Sequence, residues 1–371
     1  MEQDLFFRFV RFCLGDPSLR AEDFRDMDWE GLWKMANEQS LVGFFFGGMK
    51  RLPREMMPES DLLLEWIGQS GRMENRNRAV CEAIGKLNRR LHKDGIKTCL
   101  LKGESNALRY PYPLQRKPGD IDLWVLPADG KHLSLRQWRQ YIMDYVNGLG
   151  LSYDLAPHHV GFKMGDIEVE LHVTASTLHS SWHNRRLQQW YRKVADEQFA
   201  HQVTLPNGSV ECAVPYANFD AVFQLSHIFH HLFEGGVSLR IVLDYYYVVM
   251  SPEFNVNPEE FAKLLRHLGL YRVAQGMSYV MQTVLHLSAD RYPVPADEKA
   301  GRKILDWMFE GGEFGFYGKN AKLNASRGTI GKYINDTRRA LSLLPVFPTE
   351  AFFEPFTHIH RYVWGVMHKS K

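Results

Sequence analysis

The sequence predicts an α+β protein, a small mixed β-sheet flanked by helical regions at its N- and C-terminal ends. Three observations predict it. Apolar residues recur at helical spacing through residues 1–93 and again from Pro215 onward. Between them lie short apolar or alternating runs of strand length, bounded by Gly, Pro and Asp. A single amphipathic helix sits among those several short strands, the pattern of a mixed α/β or α+β domain. At 371 residues the chain is too long for one simple core, and the changes of pattern divide it into residues 1–93, 94–214 and 215–371.

In the first region, Leu5, Phe9 and Cys13 recur at every fourth position beside Phe6, Val10 and Phe12, with Arg8 and Arg11 expected to face away. A long helix over residues 61–92 follows from Leu62, Trp66, Val80, Ile84, Leu87 and Leu91, and Asp94 with Gly95 stops it. Residues 98–101 then read as a strand closing on Lys102 and Gly103. Residues 104–110 form one or two helical turns, residues 110–119 a proline-rich loop and residues 120–126 a second strand. Residues 133–149 form the amphipathic helix, with Trp138, Ile142 and Val146 on one face. Residues 151–155, 160–164 and 167–173 are further strands, the last two joined by a turn at Gly165. In the third region, helices are expected over residues 216–233, 239–250, 258–268, 271–287 and 352–368, with a glycine-rich loop at 311–331.

Composition narrows the class. The chain is 45% hydrophobic and 13% aromatic, enough for more than one core. A net charge of +2 gives no electrostatic footprint for long nucleic acid. The 4 cysteines, Cys13, Cys81, Cys99 and Cys212, lack CxxC spacing and read as reduced thiols. The N-terminus begins acidic, and Arg8 and Arg11 interrupt the apolar run behind it, so it does not read as a signal peptide. No run reaches the length of a membrane span. The expectation is a cytoplasmic protein with no membrane partner.

Asp120 and Asp122 carry the chemistry. On a strand, residues two apart project to the same face, so both carboxylates emerge together while Ile121, Leu123 and Val125 enter the core. Two adjacent like charges need a cation or a proton between them, and Mg²⁺ is the hard cation that carboxylates share with phosphates. Residues 167–173 alternate strictly, which puts Glu168, Glu170 and His172 on one face. Glu170, farther from the turn than Glu168, is the better third carboxylate. Three carboxylates can bind two Mg²⁺ ions for in-line attack by an activated hydroxyl. On the phosphate side, Gly103 lets an anion approach the backbone at the start of a helix. Lys102, Ser105, Arg116 and Lys117 supply donors and positive charge. These residues match neither a Walker A loop nor a GxGxxG dinucleotide motif.

Residues Leu100 to Gly103, the Tyr-Pro-x-Pro run from Tyr110, Arg116, the Gly-Asp-Ile-Asp run from Gly119 and the segment Val169 to His172 together resemble a bacterial nucleotidyltransferase family of uncharacterised members. That family belongs to the DNA polymerase β-like superfamily. The likeness covers mainly residues 94–250. It implies a nucleotidyltransferase-type core in which Asp120, Asp122 and Glu170 are metal ligands and catalytic residues, Glu170 also assisting the acceptor. It implies that Lys102, Gly103, Ser105 and Arg116 line the nucleotide. The partners implied are an NTP and an acceptor, a small molecule or a protein. One departure stands out: where the superfamily carries Gly-Ser or Gly-Gly after its first strand, this chain has Lys102, Gly103, Glu104 and Ser105, and an inward Glu104 would repel a triphosphate. A catalytically silent, nucleotide- or partner-binding relative is the alternative.

Further on, Asp220, Gln224, His227, His231 and Glu234 line one helix face, with His230 alongside. The first reading is a solvated face. An acceptor-binding face is the second, and a zinc site of a metal hydrolase, on His227, His230 and His231, is the third. Arg240 and Asp244, four residues apart in an otherwise apolar helix, are expected to satisfy each other, or else to touch substrate. His172, His227, Arg240 and Asp244 are thus the candidates for the acceptor side. His158 and His159 precede a strand beside the expected metal site.

Overall fold

In the computed structural model, residues 1–130, 133–234, 236–311 and 329–367 are described. Helices α1 (Gln3–Leu14), α2 (Trp29–Glu38), α3 (Val42–Met49) and α4 (Ser60–Lys93) lead into strand β1 (Ile96–Leu100). A single turn α5 (Glu104–Ala107), strand β2 (Ile121–Pro127) and helix α6 (Leu135–Gly148) follow. Next come β3 (Tyr153–Leu155), β4 (His159–Met164), β5 (Ile167–His172), α7 (Ser181–Ala200), β6 (Gln202–Thr204) and β7 (Glu211–Ala213). The chain continues through α8 (Ala217–Glu234), α9 (Leu239–Met250), α10 (Pro258–Leu268), α11 (Tyr271–Leu285), α12 (Glu298–Gly311), α13 (Thr329–Leu343) and α14 (Pro348–Met367).

The 5-stranded sheet runs β1-β2-β5-β4-β3. Only β2 and β5 pair in parallel among these, and their register sets Asp122 opposite Glu170. One face of the sheet is covered by α4 and α6 through Ile84, Leu87, Trp138 and Ile142, against Ile121, Leu123, Val169 and Leu171. The opposite face divides. At one end Trp124 stacks on Phe219 of α8 and meets Phe199 of α7 edge-on. At the other end it carries Asp122, Glu170 and His172. The second core extends from Trp124 through Phe6, Phe9 and Phe45 to Phe223 and Phe233, so helices from both ends of the chain share it.

The strands and the long helix lie where the periodicities put them. Several features differ. Asp120 precedes β2 rather than lying in it. Trp124 makes β2 buried on both faces. Helix α7 spans 20 residues outside the predicted elements, because polar side chains dilute its apolar stripe of Leu187, Tyr191 and Ala195. The β6–β7 hairpin, α12 and α13 likewise lie outside the elements that the periodicities predict. Arg11 does not face away: it is buried, with its guanidinium 2.9 Å from His286. Of the glycine-rich stretch at 311–331, residues 312–328 lie outside the described residues, while 329–331 open α13. The four cysteines are free thiols. No helix among the described residues is long and apolar enough to cross a membrane.

Candidate active site

The site forms at the rim where β2 and β5 run side by side. Asp122 is fully buried, and its Oδ1 receives Lys102 Nζ at 2.9 Å and His172 Nε2 at 2.9 Å. His172 Nε2 also lies 3.0 Å from Glu170 Oε2, which His159 Nδ1 approaches to 3.3 Å. Burial alone would discharge His172, but its bonds to Asp122 and Glu170 raise it to about 9, so at neutral pH it is an imidazolium donating to both carboxylates. Glu170 is the converse: burial raises it, yet the bond and charge of His172 with the nearby His159 and Lys102 hold it at about 2. For Lys102, burial favours the neutral amine, but Asp122, Asp120 and Glu170 more than offset this and raise its pKa.

Ligand atoms of Asp122, Glu170 and His172 all lie within 4.8 Å of one another. The converging trio therefore differs from the one expected. His172, assigned to the acceptor side, stands between the carboxylates, and Asp120 lines the neighbouring cavity wall instead. Asp122 Oδ2 is buried without a hydrogen-bond partner, a lone pair directed at no protein donor.

On the side expected to take phosphate, Gly103 holds φ 68° and ψ −113°, a backbone state open to glycine, which brings the chain beside Asp120. The following helix is only one turn of 4 residues, too short for a helix-dipole anion site. Ser105 is buried, with its hydroxyl donating to the Lys102 carbonyl at 3.4 Å, and it does not reach the cavity. Glu104 is buried rather than solvated: desolvation raises it to about 7 against the pull of Arg116. Near neutral pH it is therefore only partly ionised, which weakens the repulsion its position would otherwise cause.

Arg116 does not wait in solvent for phosphate. Its Nε and Nη2 donate to Asp244 Oδ1 and Oδ2 at 2.7 and 2.6 Å, and Tyr110 adds a bond to Oδ1 at 2.8 Å. Arg240 Nη1, the partner expected for Asp244, lies farther off at 3.6 Å. The planar guanidinium–carboxylate pair is buried, and it fixes Arg116 at the cavity edge. The loop carrying it is pinned by Asn77 of α4, whose amide donates to the carbonyls of Leu114 and Arg116 at 2.6 and 2.8 Å.

The polar stripe of α8 is not a solvated face. Asp220 is buried and receives Arg109 Nη1 at 2.7 Å; burial raises it to about 6 against that arginine's charge. Gln224 donates to Asn106 at 2.9 Å. His227 and His231 bring their Nε2 atoms to 3.0 Å, and burial holds His227 well below the usual histidine value. His230 instead stacks on His179 at 5.9 Å and meets His158 edge-on. Among the described residues, the trios whose ligand atoms converge are Asp122–Glu170–His172 and His158–His159–His172. His230 is turned away from the His227–His231 pair, so the three do not converge as the ligand set of the zinc-hydrolase reading.

These groups surround one cavity of about 880 Å³. Of the expected residues, Lys102, Gly103, Arg116, Asp120, Glu170, His172, His227, Arg240 and Asp244 line it; Asp122 sits just behind, beneath Lys102 and His172. Arg76 and Asn106 also line it and had not been singled out. Arg76, paired with Asp166 at the β4–β5 turn, is one of several arginines along α4 and carries no signal of its own in the sequence. Asn106 carries none either.

No curated protein matches the chain. A solved structure described as an antigenic nucleotidyltransferase-like protein from Paracoccidioides brasiliensis is similar at 14% identity, covering 63% of this chain and 98% of that one, with a TM-score of 0.34. A superposition at that score transfers neither fold nor function. The family match is broader than the likeness legible in the motifs, since it includes the N-terminal helices that pin the 110–119 loop. A family model described as uncharacterised nucleotidyltransferase matches residues 25–286, well over half of the sequence, and this chain belongs to that family.

Proposed function

We propose that the chain transfers a nucleoside monophosphate from an NTP to a hydroxyl acceptor and releases pyrophosphate. One observation carries this reading: Asp122 and Glu170 are register partners on adjacent parallel strands, against a cavity that also presents Lys102, Arg116 and Lys117. Carboxylates beside fixed cations are the parts phosphoryl chemistry requires. In the reaction, the acceptor oxygen forms a bond to the α-phosphorus and the bond from that phosphorus to the bridging oxygen breaks. The hydroxyl proton passes to solvent in the cavity.

The residues fit a divalent cation. Asp122 and Glu170 are hard oxygen donors, Asp122 Oδ2 has no protein partner, and Asp120 adds a carboxylate at the wall. These three would hold Mg²⁺, which when bound neutralises triphosphate charge and eases deprotonation of the acceptor hydroxyl. Lys102 would exchange Asp122 for a phosphate oxygen. Arg116, oriented by Asp244, offers its cavity side, and burial keeps Glu104 partly protonated near neutral pH, which limits its opposition to the phosphates. The acceptor is a small molecule or a protein; the weak net charge disfavours long nucleic acid.

A second reading, a silent relative that binds nucleotide without turnover, is favoured by one observation. Lys102 and His172 already neutralise Asp122 and Glu170, so this pair of carboxylates is charge-balanced without an ion. The test is incubation with each α-labelled NTP, Mg²⁺ and a cell extract. Label transferred by the wild type and lost in Asp120→Ala/Asp122→Ala supports transfer. Transfer that survives the double change refutes it, and stoichiometric NTP binding with no transfer to any acceptor favours the silent reading.

A further inference from the structure

We infer that His158, His159 and His172 form a second cation site, for a borderline transition-metal dication of the zinc class. The site stands on nitrogen atoms and does not depend on the nucleotidyl-transfer reading.

The backbone places the three rings. β4 and β5 set His159 opposite His172, and the amide of Val173 donates to the His158 carbonyl at 2.9 Å. The ring centroids are 4.6 Å apart for His158 and His159, 5.2 Å for His159 and His172, and 5.6 Å for His158 and His172. One nitrogen from each ring falls within 4.8 Å of the others. Nitrogens sharing a tetrahedral zinc at bonds of about 2.0–2.1 Å stand about 3.4 Å apart, so the rings need close by at most about 1.4 Å.

His172 supplies the second, independent observation. It is buried, its Nε2 contacts Asp122 and Glu170, and its Nδ1 has no hydrogen-bond partner. A histidine with one nitrogen on a carboxylate and the other directed elsewhere has the arrangement of a metal ligand oriented by its outer partner, the dication displacing the Nδ1 proton that the metal-free imidazolium carries. His159 Nδ1 also lies near Glu170 Oε2, so that carboxylate borders both sites. Donor type separates the two ions. Oxygen suits Mg²⁺ and imidazole suits zinc, nickel or cobalt. All three histidines line the cavity, so three ligands leave a fourth position facing it, as in zinc sites that exchange a ligand rather than staple a fold.

The test uses metal-depleted full-length protein, Zn²⁺ at stoichiometric excess and millimolar Mg²⁺ as competitor. Zinc retained after gel filtration is counted, and the zinc X-ray absorption spectrum is recorded on the wild type. One zinc per chain with an imidazole-rich spectrum is expected. His158→Ala/His159→Ala should weaken zinc binding by at least about 100-fold, more than the loss of an outer partner costs. Asp122→Asn/Glu170→Gln should retain it within about 10-fold, the lower end of that outer-partner range. Failure of the wild type to retain zinc, a spectrum of oxygen ligands alone, or binding lost in the carboxylate variant and kept in the histidine variant would each overturn the inference. The wild-type spectrum decides the matter even if a variant misfolds.

Discussion

Glu104 offers a direct measurement of the electrostatics beside Gly103. Its carboxyl is buried, with Oε2 lacking a hydrogen-bond partner, because the nearest guanidinium, Arg116, is committed to Asp244. Burial raises it from 4.5 to about 7. The folded chain therefore binds a proton between those values that the unfolded chain has released. Stability conferred by the neutral acid is full below pH 4.5, falls as pH rises toward 7, and levels off above. Each pKa unit is worth about 1.4 kcal/mol, so the ionised side chain costs about 3 kcal/mol at pH 8. Glu104→Gln keeps the shape and removes the charge. Urea unfolding of both proteins at pH 5, 6, 7 and 8, followed by tryptophan fluorescence, should show the variant gaining on the wild type as pH rises. Other titrating groups are common to both chains and cancel in the difference. A stability difference independent of pH would refute the buried-acid account.

Three further outcomes follow from the same geometry. Asp244→Ala leaves Arg116 buried and unpaired and should destabilise the protein by about 3–5 kcal/mol in urea unfolding; replacing both partners with apolar residues should cost less. Gly103→Ala forces a side chain into a left-handed backbone state and should cost about 1–2 kcal/mol in the same assay, with weaker NTP binding by calorimetry. Gly43→Ala would place its Cβ 1.9 Å from the Gln115 carbonyl. The added methyl should cost about 1–3 kcal/mol and speed hydrogen exchange across residues 110–119.

What was legible depended on local pattern. Alternation in residues 167–173 exposed Glu170 and His172 on one face, and the paired aspartates located β2 to within a residue. Partners distant in sequence were not legible. Asp244 lies 128 residues from Arg116, and Asp220 lies 111 from Arg109, so the nearest charge at helical spacing, Arg240, stood in as the expected partner. The α8 stripe looked solvated because polarity was the only local signal. It is buried because Arg109 and Asn106 reach it from another part of the chain. His172 could be placed on its face, but its position between two carboxylates follows from the β2–β5 register, which no single strand encodes. For α7, Ser180 as an N-cap together with the spacing of Leu187, Tyr191, Ala195 and Gln198 was the available clue.

The segment between β1 and β2 ties the two ends of the protein's chemistry together. Arg109 reaches Asp220 on α8, and Tyr110 and Arg116 both reach Asp244 on α9. The sheet is therefore not a portable cassette. Cut out at residues 94–214, it would carry two arginines whose counter-charges were left behind, and the loop that positions Arg116 would lose its anchor. Grafting this site onto another scaffold, or trimming the protein to a minimal unit, would have to carry α8 and α9 with it.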